Sequence, residues 1–258
     1  MDLGLSGKVA LVTGASKGIG LAIARVLAAE GMQVALAACN TEALSALVAE
    51  LGPTALAYPC DLTQVDAPPA FAAAALRHYG RIDLVVNNAG NTTRGDFLSL
   101  TEADWDAGFA LKFHGYRRMA ATAWPELKRT SGTLINIIGV GARTARADSA
   151  VAGTVNAGLV YLTKSLADLG VKDGVRVMAI SPGLIATERW QTRLEREAKL
   201  HGDGTPAAAE QRLLQSWGLV RTGKPDEIAR MVTLMASPAA SYVQGAIIDV
   251  DGGLTRAL

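Results

Sequence analysis

Thr13-Gly14-Ala15-Ser16-Lys17-Gly18-Ile19-Gly20 is the stretch of the chain that decides its fold. It follows an apolar run that ends at Thr13, and it opens a segment with helical periodicity, Gly20–Glu30. Glycines at this spacing allow a tight turn between a strand and a helix and a close approach to a ligand. The amino end of the helix attracts a pyrophosphate. The stretch therefore predicts a dinucleotide-binding βαβ unit.

Strands and helices alternate along the rest of the chain. The predicted strands are Val9–Thr13, Gln33–Ala38, Ala55–Cys60, Leu84–Asn87, Gly132–Ile138, Arg176–Ser181 and Ala246–Val250. The predicted helices are Gly20–Glu30, Glu42–Leu51, Ala67–Tyr79, Glu102–Lys128, Ala152–Gly170 and Pro225–Met235. Continuously apolar strands between helices are typical of a parallel sheet that is covered on both faces.

We therefore expect an α/β fold in which residues 1–258 form a single domain built on one Rossmann-type, doubly wound parallel sheet. Such a sheet binds its ligand in a crevice at the carboxyl ends of the strands. The segment 184–219 is charged and is the least regular part of the sequence. Because it follows a strand that ends at the crevice, we predict that it forms a mobile substrate lid.

Composition and charge bear on the class of ligand and on the compartment. Half of the residues are apolar and the formal net charge is +1, which gives no electrostatic argument for nucleic acid or an anionic membrane. No stretch is predicted to span a membrane, and the first residues lack the apolar core of a signal peptide. A disulfide cannot be inferred from only two cysteines, and the three histidines lack metal-ligand spacing. The expected compartment is the cytoplasm.

Further motifs follow the later strands. They are Asp61-Leu62, Asn87-Asn88-Ala89-Gly90, Ser181-Pro182-Gly183-Leu184-Ile185-Ala186-Thr187 and Asp251-Gly252-Gly253. Together with the glycine loop, these motifs resemble the short-chain dehydrogenase/reductase family, in its simple single-domain branch, over essentially the whole chain. The resemblance implies an NAD(P)(H)-binding oxidoreductase. It implies cofactor contacts by Gly14, Ser16, Lys17, Gly18, Ile19, Gly20, Cys39, Asp61, Leu62, Asn88, Ala89, Gly90, Asn156, Pro182, Gly183, Ile185 and Thr187.

By this resemblance, Asp61 hydrogen-bonds the adenine and Leu62 packs beside it. The segment 88–90 lines a ribose, and Ile185 and Thr187 hold the nicotinamide end. The alternative is that these residues stabilise only turns and the sheet. For cofactor choice, the second strand ends in Ala38-Cys39, without the acidic residue that selects NAD. Lys17 could pair with a 2′-phosphate or remain a solvated loop lysine, so we favour NADP(H) and keep NAD(H) open.

The sequence departs from the family where the chemistry takes place. In the family, a tyrosine protonates the carbonyl oxygen, a lysine four residues later binds the ribose, a serine polarises the carbonyl, and an asparagine holds a water. The aligned positions here are Ala152 for the tyrosine, Asn156 for the lysine, Gly139 for the serine and Lys112 for the asparagine. Lysine and asparagine have thus exchanged places.

This exchange makes Lys112 and Asn156 the candidate catalytic residues. Burial would lower the pKa of Lys112 and make it a usable base or nucleophile. The alternative is a structural lysine that bridges backbone carbonyls. The leading hypothesis is an oxidoreductase with a non-standard proton-transfer site. A non-redox lyase, aldolase-type enzyme or isomerase that uses Lys112 is a second hypothesis, and a catalytically silent protein that binds a nucleotide or a partner is a third.

Two further expectations concern the substrate and the assembly. Arg94, Arg143, Arg146 and Arg189 are predicted to border the crevice, where they would suit a carboxylate or phosphate, although ordinary surface charge is the alternative. The segments Glu102–Lys128 and Ala152–Gly170 are apolar on more than one face. We therefore expect a closed homotetramer, or at least a homodimer.

Overall fold

The sheet is continuous and entirely parallel. The computed structural model describes residues 2–91 and 93–256. The strands are Val9–Thr13 (β1), Gln33–Ala38 (β2), Ala55–Pro59 (β3), Leu84–Asn87 (β4), Thr133–Ile137 (β5), Arg176–Pro182 (β6) and Ile247–Val250 (β7). Their order is β3-β2-β1-β4-β5-β6-β7, and all neighbouring pairs are parallel. The predicted doubly wound α/β fold is confirmed. The order reverses between β1 and β4, which places a crevice there.

Helices cover both faces of this sheet. They are Gly18–Ala29 (α1), Thr41–Leu51 (α2), Ala67–Tyr79 (α3), Glu102–Gly108 (α4), Gly115–Thr130 (α5), Ala150–Asp173 (α6), Glu188–His201 (α7), Pro206–Trp217 (α8) and Pro225–Ala236 (α9). Short 3₁₀ turns are Gly52–Thr54, Phe97–Ser99, Val140–Ala142, Ala147–Ser149 and Pro238–Ala240. One large apolar core joins α1, α2 and α9 to the sheet, and a second large core joins α3, α5 and α6 to it.

The predicted single helix Glu102–Lys128 is wrong in one respect. Phe109–His114 is a π-helical segment, which separates α4 from α5. Its wider turn alters which side chains face the sheet, and Phe113 packs against the α-carbon of Gly158 on α6, where a Cβ would come within 3.0 Å. Lys112 lies within this segment. Single-turn π-helices occur frequently at functional sites, so the irregularity marks this part of the crevice.

Most of the segment 184–219, whose sequence is the least regular of the chain, forms the two helices α7 and α8. The Thr187 hydroxyl accepts a hydrogen bond from the Trp190 amide, and the Thr205 hydroxyl accepts one from the Ala208 amide, so both helices have a capped start. The two helices enclose a small apolar core of their own. Its buried members are Trp190, Leu194, Ala198, Ala209 and Leu213. The segment is therefore a packed helical pair above the crevice.

Candidate active site

The glycine loop after β1 is shaped by close backbone contacts. Gly14 has a positive φ of 66°, and a Cβ there would lie 2.8 Å from the α-carbon of Ala89. A Cβ on Gly20 would lie 2.2 Å from the carbonyl oxygen of Gly14. Both distances are shorter than any real Cβ contact, so the loop requires glycine at these two positions. The missing side chains leave a concave surface at the start of α1.

The amino end of α1 is open to a ligand. Lys17 is its N-cap but provides no side-chain hydrogen bond, and the first turn contains no acidic residue. The leading N–H groups of Gly18, Ile19 and Gly20 therefore point outward with the positive end of the helix dipole behind them. Ser16 lies partly buried beside them. An uncapped helix end above a glycine cradle fits a pyrophosphate, as the sequence predicted.

Asn88, the residue after β4, supports this loop. Its Nδ2 donates to the carbonyl oxygens of Thr13 at 3.0 Å and Gly14 at 3.1 Å. The Thr13 hydroxyl in turn accepts from the amides of Asn88 at 2.9 Å and Ala89 at 3.1 Å. The side-chain amide hydrogens of Asn88 are thus directed at protein carbonyls. Sequence reasoning placed Asn88 beside a ribose, whereas these bonds give it the additional task of joining β4 to the loop after β1.

The predicted adenine end lies beyond β2 and β3. Leu62 is buried, while Asp61 and Cys39 are exposed. Asp61 Oδ1 accepts from the Thr63 amide at 2.9 Å, and this bond holds the pKa of the carboxyl below its usual value. Cys39 Sγ donates to the carbonyl oxygen of Cys60 at 3.4 Å. No acidic side chain stands at positions 38–40, so this end carries no group that would repel a 2′-phosphate.

The predicted nicotinamide end lies between β6 and α7. Pro182 ends β6, and Gly183 follows so close to Asp251 that a Cβ would come within 2.8 Å of its α-carbon. Ile185 is buried, and its carbonyl oxygen accepts from the Thr187 hydroxyl at 3.4 Å. Thr187 also meets the glycine loop, since a Cβ on Gly18 would lie 3.3 Å from its Cγ2. These contacts bring both halves of the predicted cofactor site to one crevice.

Lys17 lies at the rim of this crevice. Its Nζ is 3.9 Å from Glu188 Oε2 in the first turn of α7, and both side chains are about three-quarters exposed. An exposed ion pair at this distance contributes little stability. The ammonium is therefore free to exchange Glu188 for a ligand phosphate.

Lys112 reaches the carboxyl end of β5 from the π-helical segment. Its Nζ donates to the carbonyl oxygen of Ile138 at 2.9 Å and to Asn156 Oδ1 at 2.8 Å. The aliphatic part of the side chain runs over Gly90, where a Cβ would come within 2.9 Å of Lys112 Cδ. The two residues that the sequence proposed as exchanged are thus hydrogen-bonded to each other. They lie beside a predicted ribose-lining residue.

The environment of Lys112 weakens its hold on a proton. Burial, and to a smaller extent the positive charge of Arg189, lower the pKa of its ammonium to about 7. At this value the protonated and neutral forms are both populated near neutral pH. A lysine in this state can donate a proton and recover it, which an exposed lysine does poorly at the same pH.

Asn156 packs closely against Gly139 and is hydrogen-bonded to Lys112. Asn156 is buried on α6, and a Cβ at Gly139 would lie 3.3 Å from its Nδ2. Because the Lys112 ammonium can only donate, Asn156 presents Oδ1 to it and turns Nδ2 away. Ala152, one turn earlier on α6, is also buried. Gly139 therefore leaves room for the asparagine amide, and Asn156 can donate from Nδ2 toward neighbouring groups.

The four predicted arginines have three different sets of partners. Arg189 Nη2 donates to the carbonyl oxygen of Gly90 at 2.6 Å, directly beside Lys112. Arg94 and Arg146 share Asp148, with nitrogen-to-oxygen distances of 3.9 Å and 3.3 Å. Arg143 instead forms an ion pair with Asp249 on β7, so its charge is already neutralised.

Sequence reasoning missed three residues that complete this end of the crevice. Arg193 on α7 stacks on Trp190 and on Trp217, with its guanidinium carbon 5.5 Å and 5.3 Å from the ring centroids. Arg146 stacks on Trp217 as well, at 5.3 Å. The helical spacing of Trp190 and Arg193 was a signal available in the sequence. The partner Trp217 lies on a different helix, and its position follows only from the fold.

The described part of the chain contains neither a cluster of metal-ligating side chains nor a membrane-spanning helix. Across residues 2–91 and 93–256, no group of three or more His, Cys, Asp or Glu side chains is arranged to hold a metal ion. Within the same ranges, no helix combines the length and the apolar character needed to cross a membrane.

Comparisons with known proteins agree with this geometry. A family model described as enoyl-(acyl carrier protein) reductase matches residues 14–255. The chain is 35% identical over 256 residues to a 3-oxoacyl-[acyl-carrier-protein] reductase of Synechocystis, covering 97% of this chain and 98% of that one. It is 35% identical over 258 residues to D-threitol dehydrogenase of Mycolicibacterium smegmatis, covering 98% and 95%.

The fold is also similar to that of a solved structure over the whole chain. The crystal structure of L-sorbose reductase from Gluconobacter frateurii, complexed with NADPH and L-sorbose, superposes with a TM-score of 0.94. The two chains are 30% identical, and the similarity covers 100% of each. The similarity therefore includes the crevice as well as the sheet.

Proposed function

Because the chain belongs to the short-chain dehydrogenase/reductase family and is an NAD(P)-dependent oxidoreductase, we propose that it interconverts a small carbonyl compound and its alcohol with Lys112 as the proton-transfer residue. One observation carries the proposal. Lys112 Nζ lies 2.8 Å from Asn156 Oδ1 at the crevice, with a pKa of about 7. The ammonium is thus ready to exchange a proton where the family performs its chemistry.

The proposal includes a replaced catalytic set. Gly139, Ala152 and Asn156 stand where the resemblance places a serine, a tyrosine and a lysine, and Lys112 stands at the position of an asparagine. Gly139, Ala152 and Asn156 carry no titratable group, so Lys112 is the titratable residue among these four positions. The contact of Gly139 with the Asn156 amide favours a rearranged site, because the small residue makes room for its neighbour.

NADP(H) is the proposed cofactor, and when bound it would supply or accept the hydride. The glycine cradle and the open amino end of α1 would hold its pyrophosphate, and Asp61 would face the adenine. The preference for NADP(H) over NAD(H) rests on Lys17, whose weak pairing with Glu188 leaves its ammonium available to a 2′-phosphate. The absence of an acidic residue at positions 38–40 is consistent with this preference.

The residues of the chain would then act on the carbonyl oxygen. As the carbon–hydrogen bond forms at the carbonyl carbon, the oxygen gains the electron pair of the C=O π bond and takes the proton from Lys112 Nζ. Lys112 becomes a neutral amine and regains a proton from water. Asn156 keeps the amine in place through Oδ1 and can donate to the substrate oxygen from Nδ2. The reverse reaction starts from the neutral amine as the base.

The deciding experiment is a comparison of the Lys112→Met variant with the Lys172→Met variant. Lys172 is exposed in the last turn of α6, so it controls for the loss of one positive charge. Turnover of a panel of ketones is followed by the nicotinamide absorbance, and cofactor affinity is measured separately. We expect Lys112→Met to lower kcat roughly 10²- to 10⁴-fold, with cofactor affinity retained. Undiminished turnover in this variant would show that Lys112 is structural.

Chemical trapping of the native protein distinguishes the non-redox hypothesis from the proposed redox function. Treatment with borohydride in the presence of a carbonyl compound would trap an imine on Lys112, visible as a mass increase. Such an adduct, together with the absence of redox turnover, would favour a lyase over the function proposed here. Redox turnover of any substrate contradicts the silent-protein hypothesis.

A closed homotetramer or homodimer in the cytoplasm completes the proposal. On α6, Tyr161 is 77% exposed and Val171 is 71% exposed. Leu169 on the same helix is also exposed, at 44%. Large apolar side chains on a long helix support a contact with a second copy. The free cysteines Cys39 and Cys60 are consistent with a reducing compartment.

A further inference from the structure

Three arginines converge above the crevice from three different segments. Arg94 follows β4, Arg146 precedes α6, and Arg193 lies on α7; we call them the arginine cluster. The segments are joined directly, because the Gly95 amide donates to the carbonyl oxygen of Asp148 at 3.1 Å. This bond joins the first two segments, and the third is tied to them because Arg146 and Arg193 both stack on Trp217, with guanidinium carbons 5.3 Å from its ring centroid.

The carboxylates near the cluster do not neutralise it. Asp148 is divided between Arg94 at 3.9 Å and Arg146 at 3.3 Å. Glu197 lies 3.9 Å from Arg193 but also contacts Arg212 at 3.6 Å and His201 at 3.5 Å. Each contact is longer than a good charge-assisted hydrogen bond, which has a length of about 2.7–2.9 Å. Two carboxylates shared in this way leave positive charge in excess.

Arg193 is the best-defined member of the cluster. Its side chain is only 16% exposed and is stacked between Trp190 and Trp217. Its Nε is buried and has no hydrogen-bond partner among the residues that the structure describes. A buried donor without a partner is costly, and a ligand oxygen would remove that cost. Burial and the charge of Arg94 both lower the pKa of Arg193, which an anion would reverse.

The cluster is separate from the proposed proton-transfer site. Arg189 lies on the Lys112 side, because it contacts Gly90, and Arg193 is one helical turn farther along α7, about 6 Å away. Arg189 itself is engaged with the carbonyl oxygen of Gly90. An anionic group on the substrate that reaches the cluster must therefore be remote from the carbon that reacts beside Lys112.

We infer that the arginine cluster binds an anionic oxygen group at the far end of the substrate, which makes the substrate class a carbonyl compound with a carboxylate or phosphate separated from the reacting carbon by a spacer. This inference rests on the proposed function, because it takes the carbonyl to lie beside Lys112. It excludes short 2-oxo acids as the best substrates, since their carboxylate is attached to the reacting carbon.

A spacer series tests the inference. Pyruvate, acetoacetate and levulinate place the carboxylate progressively farther from the ketone, and each has a neutral methyl ester. We expect the ratio of kcat/KM for acid over ester to rise along the series and to reach roughly ten- to hundredfold for levulinate. Dihydroxyacetone phosphate and dihydroxyacetone form the phosphate pair, and a larger preference there would identify phosphate as the group.

Arg94→Gln and Arg193→Gln should abolish the preference for the charged member, because kcat/KM for the acids falls at least tenfold more than kcat/KM for the esters. Arg230→Gln is the control, because Arg230 is exposed on α9, on the face of the sheet covered by α1 and α2. Arg94 makes no tryptophan stack, so its variant tests the site even if Arg193→Gln loosens α7. An equal loss for acids and esters, or an equal loss in Arg230→Gln, would overturn the inference.

A binding measurement separates this inference from the proposed function. Levulinate and its methyl ester are titrated into the protein with NADPH, and tryptophan fluorescence is followed. Trp217→Phe identifies the signal that comes from the stack. Binding of levulinate but not of its ester, lost in Arg94→Gln, supports the cluster even if Lys112→Met shows no catalytic defect. Equal binding of acid and ester contradicts it even if ketone reduction depends on Lys112.

Discussion

The α-carbon of Gly90 and the aliphatic chain of Lys112 are in direct contact. A Cβ at position 90 would lie 2.9 Å from Lys112 Cδ and 3.2 Å from its Cγ. The φ angle of Gly90 is not in the left-handed region, so glycine is not required there for backbone conformation. Its role is to leave space for the Lys112 side chain. The glycine at the end of the fourth strand motif thus sets the path by which the lysine reaches Asn156.

Gly90→Ala should displace Lys112 without unfolding the chain. The lysine stem is flexible, so the cost in the free energy of unfolding should be about 1 kcal/mol, whereas kcat should fall at least tenfold because the amine is misplaced. Gly95→Ala is the matched control, since its Cβ would meet only Leu100 Cδ2 at 3.7 Å. Urea unfolding and steady-state kinetics on both variants provide the check. Full activity in Gly90→Ala would contradict this account.

The two directions of the reaction should have opposite pH dependence. Reduction requires the Lys112 ammonium as acid, so its rate should fall as pH rises through about 7, the pKa of that group. Oxidation of the alcohol requires the neutral amine as base, so its rate should rise through the same region. Initial rates at saturating cofactor measure both profiles. Matching slopes in the two directions would remove Lys112 from the proton transfer.

The free energy of unfolding should also depend on pH through the titration of Lys112. The pKa of Lys112 is about 7 in the folded chain, below the value of about 10.4 for an unfolded lysine. Between these values the unfolded state binds more protons, so the lysine costs less stability as pH rises. The free energy of unfolding of the native protein minus that of Lys112→Met should therefore increase by up to about 1.4 kcal/mol per pH unit above pH 7. Urea unfolding at fixed protein concentration measures this difference, and a constant value would show an unperturbed lysine.

Lys17→Ala should weaken NADPH binding more than NADH binding. Because Lys17 is exposed, we expect a loss of about three- to tenfold for NADPH and little change for NADH. Glu188→Gln removes the competing partner, which lies 3.9 Å from Lys17, and should leave NADPH affinity equal or higher. Fluorescence titration of the reduced cofactors provides the values. Equal losses for both cofactors would show that Lys17 does not recognise the 2′-phosphate.

Light scattering tests the assembly. Tyr161 and Val171 are large, exposed apolar residues of α6, so Tyr161→Asp combined with Val171→Asp should reduce the molar mass of the particle at micromolar concentration. Val65→Asp, at an exposed apolar residue between β3 and α3, should leave it unchanged. If the native chain is already a monomer, the proposed closed assembly is wrong.

The sheet was predictable because its signal is local. Runs such as Val9–Thr13 and Gln33–Ala38 are apolar at nearly every position, which only a strand covered on both faces requires. The glycine loop was predictable for the same reason, since its spacing reports the turn itself. Strand ends moved by one residue because the last position of a run does not reveal whether its backbone pairs with a neighbour.

The departures arise from nonlocal contacts. The spacing of apolar residues over 102–130 does not reveal whether the backbone hydrogen bonds are α-helical throughout or π-helical over Phe109–His114. The helices α7 and α8 are rich in charge, and their shared core forms only when Trp190 meets Leu213. The hydrogen bond between Lys112 and Asn156 spans 44 residues. The sequence could suggest their exchange but could not establish their contact.

The π-helical segment makes chain length between α4 and α5 a constraint in its own right. Each residue of an α-helix advances the direction of its side chain by roughly 100°. Deleting one residue between Phe109 and His114 would let the segment rewind as an α-helix, and Lys112 would turn away from Ile138 although no side chain near it had been replaced. An insertion would displace it in the opposite sense. This region should therefore tolerate many substitutions at its exposed positions but hardly any change in length.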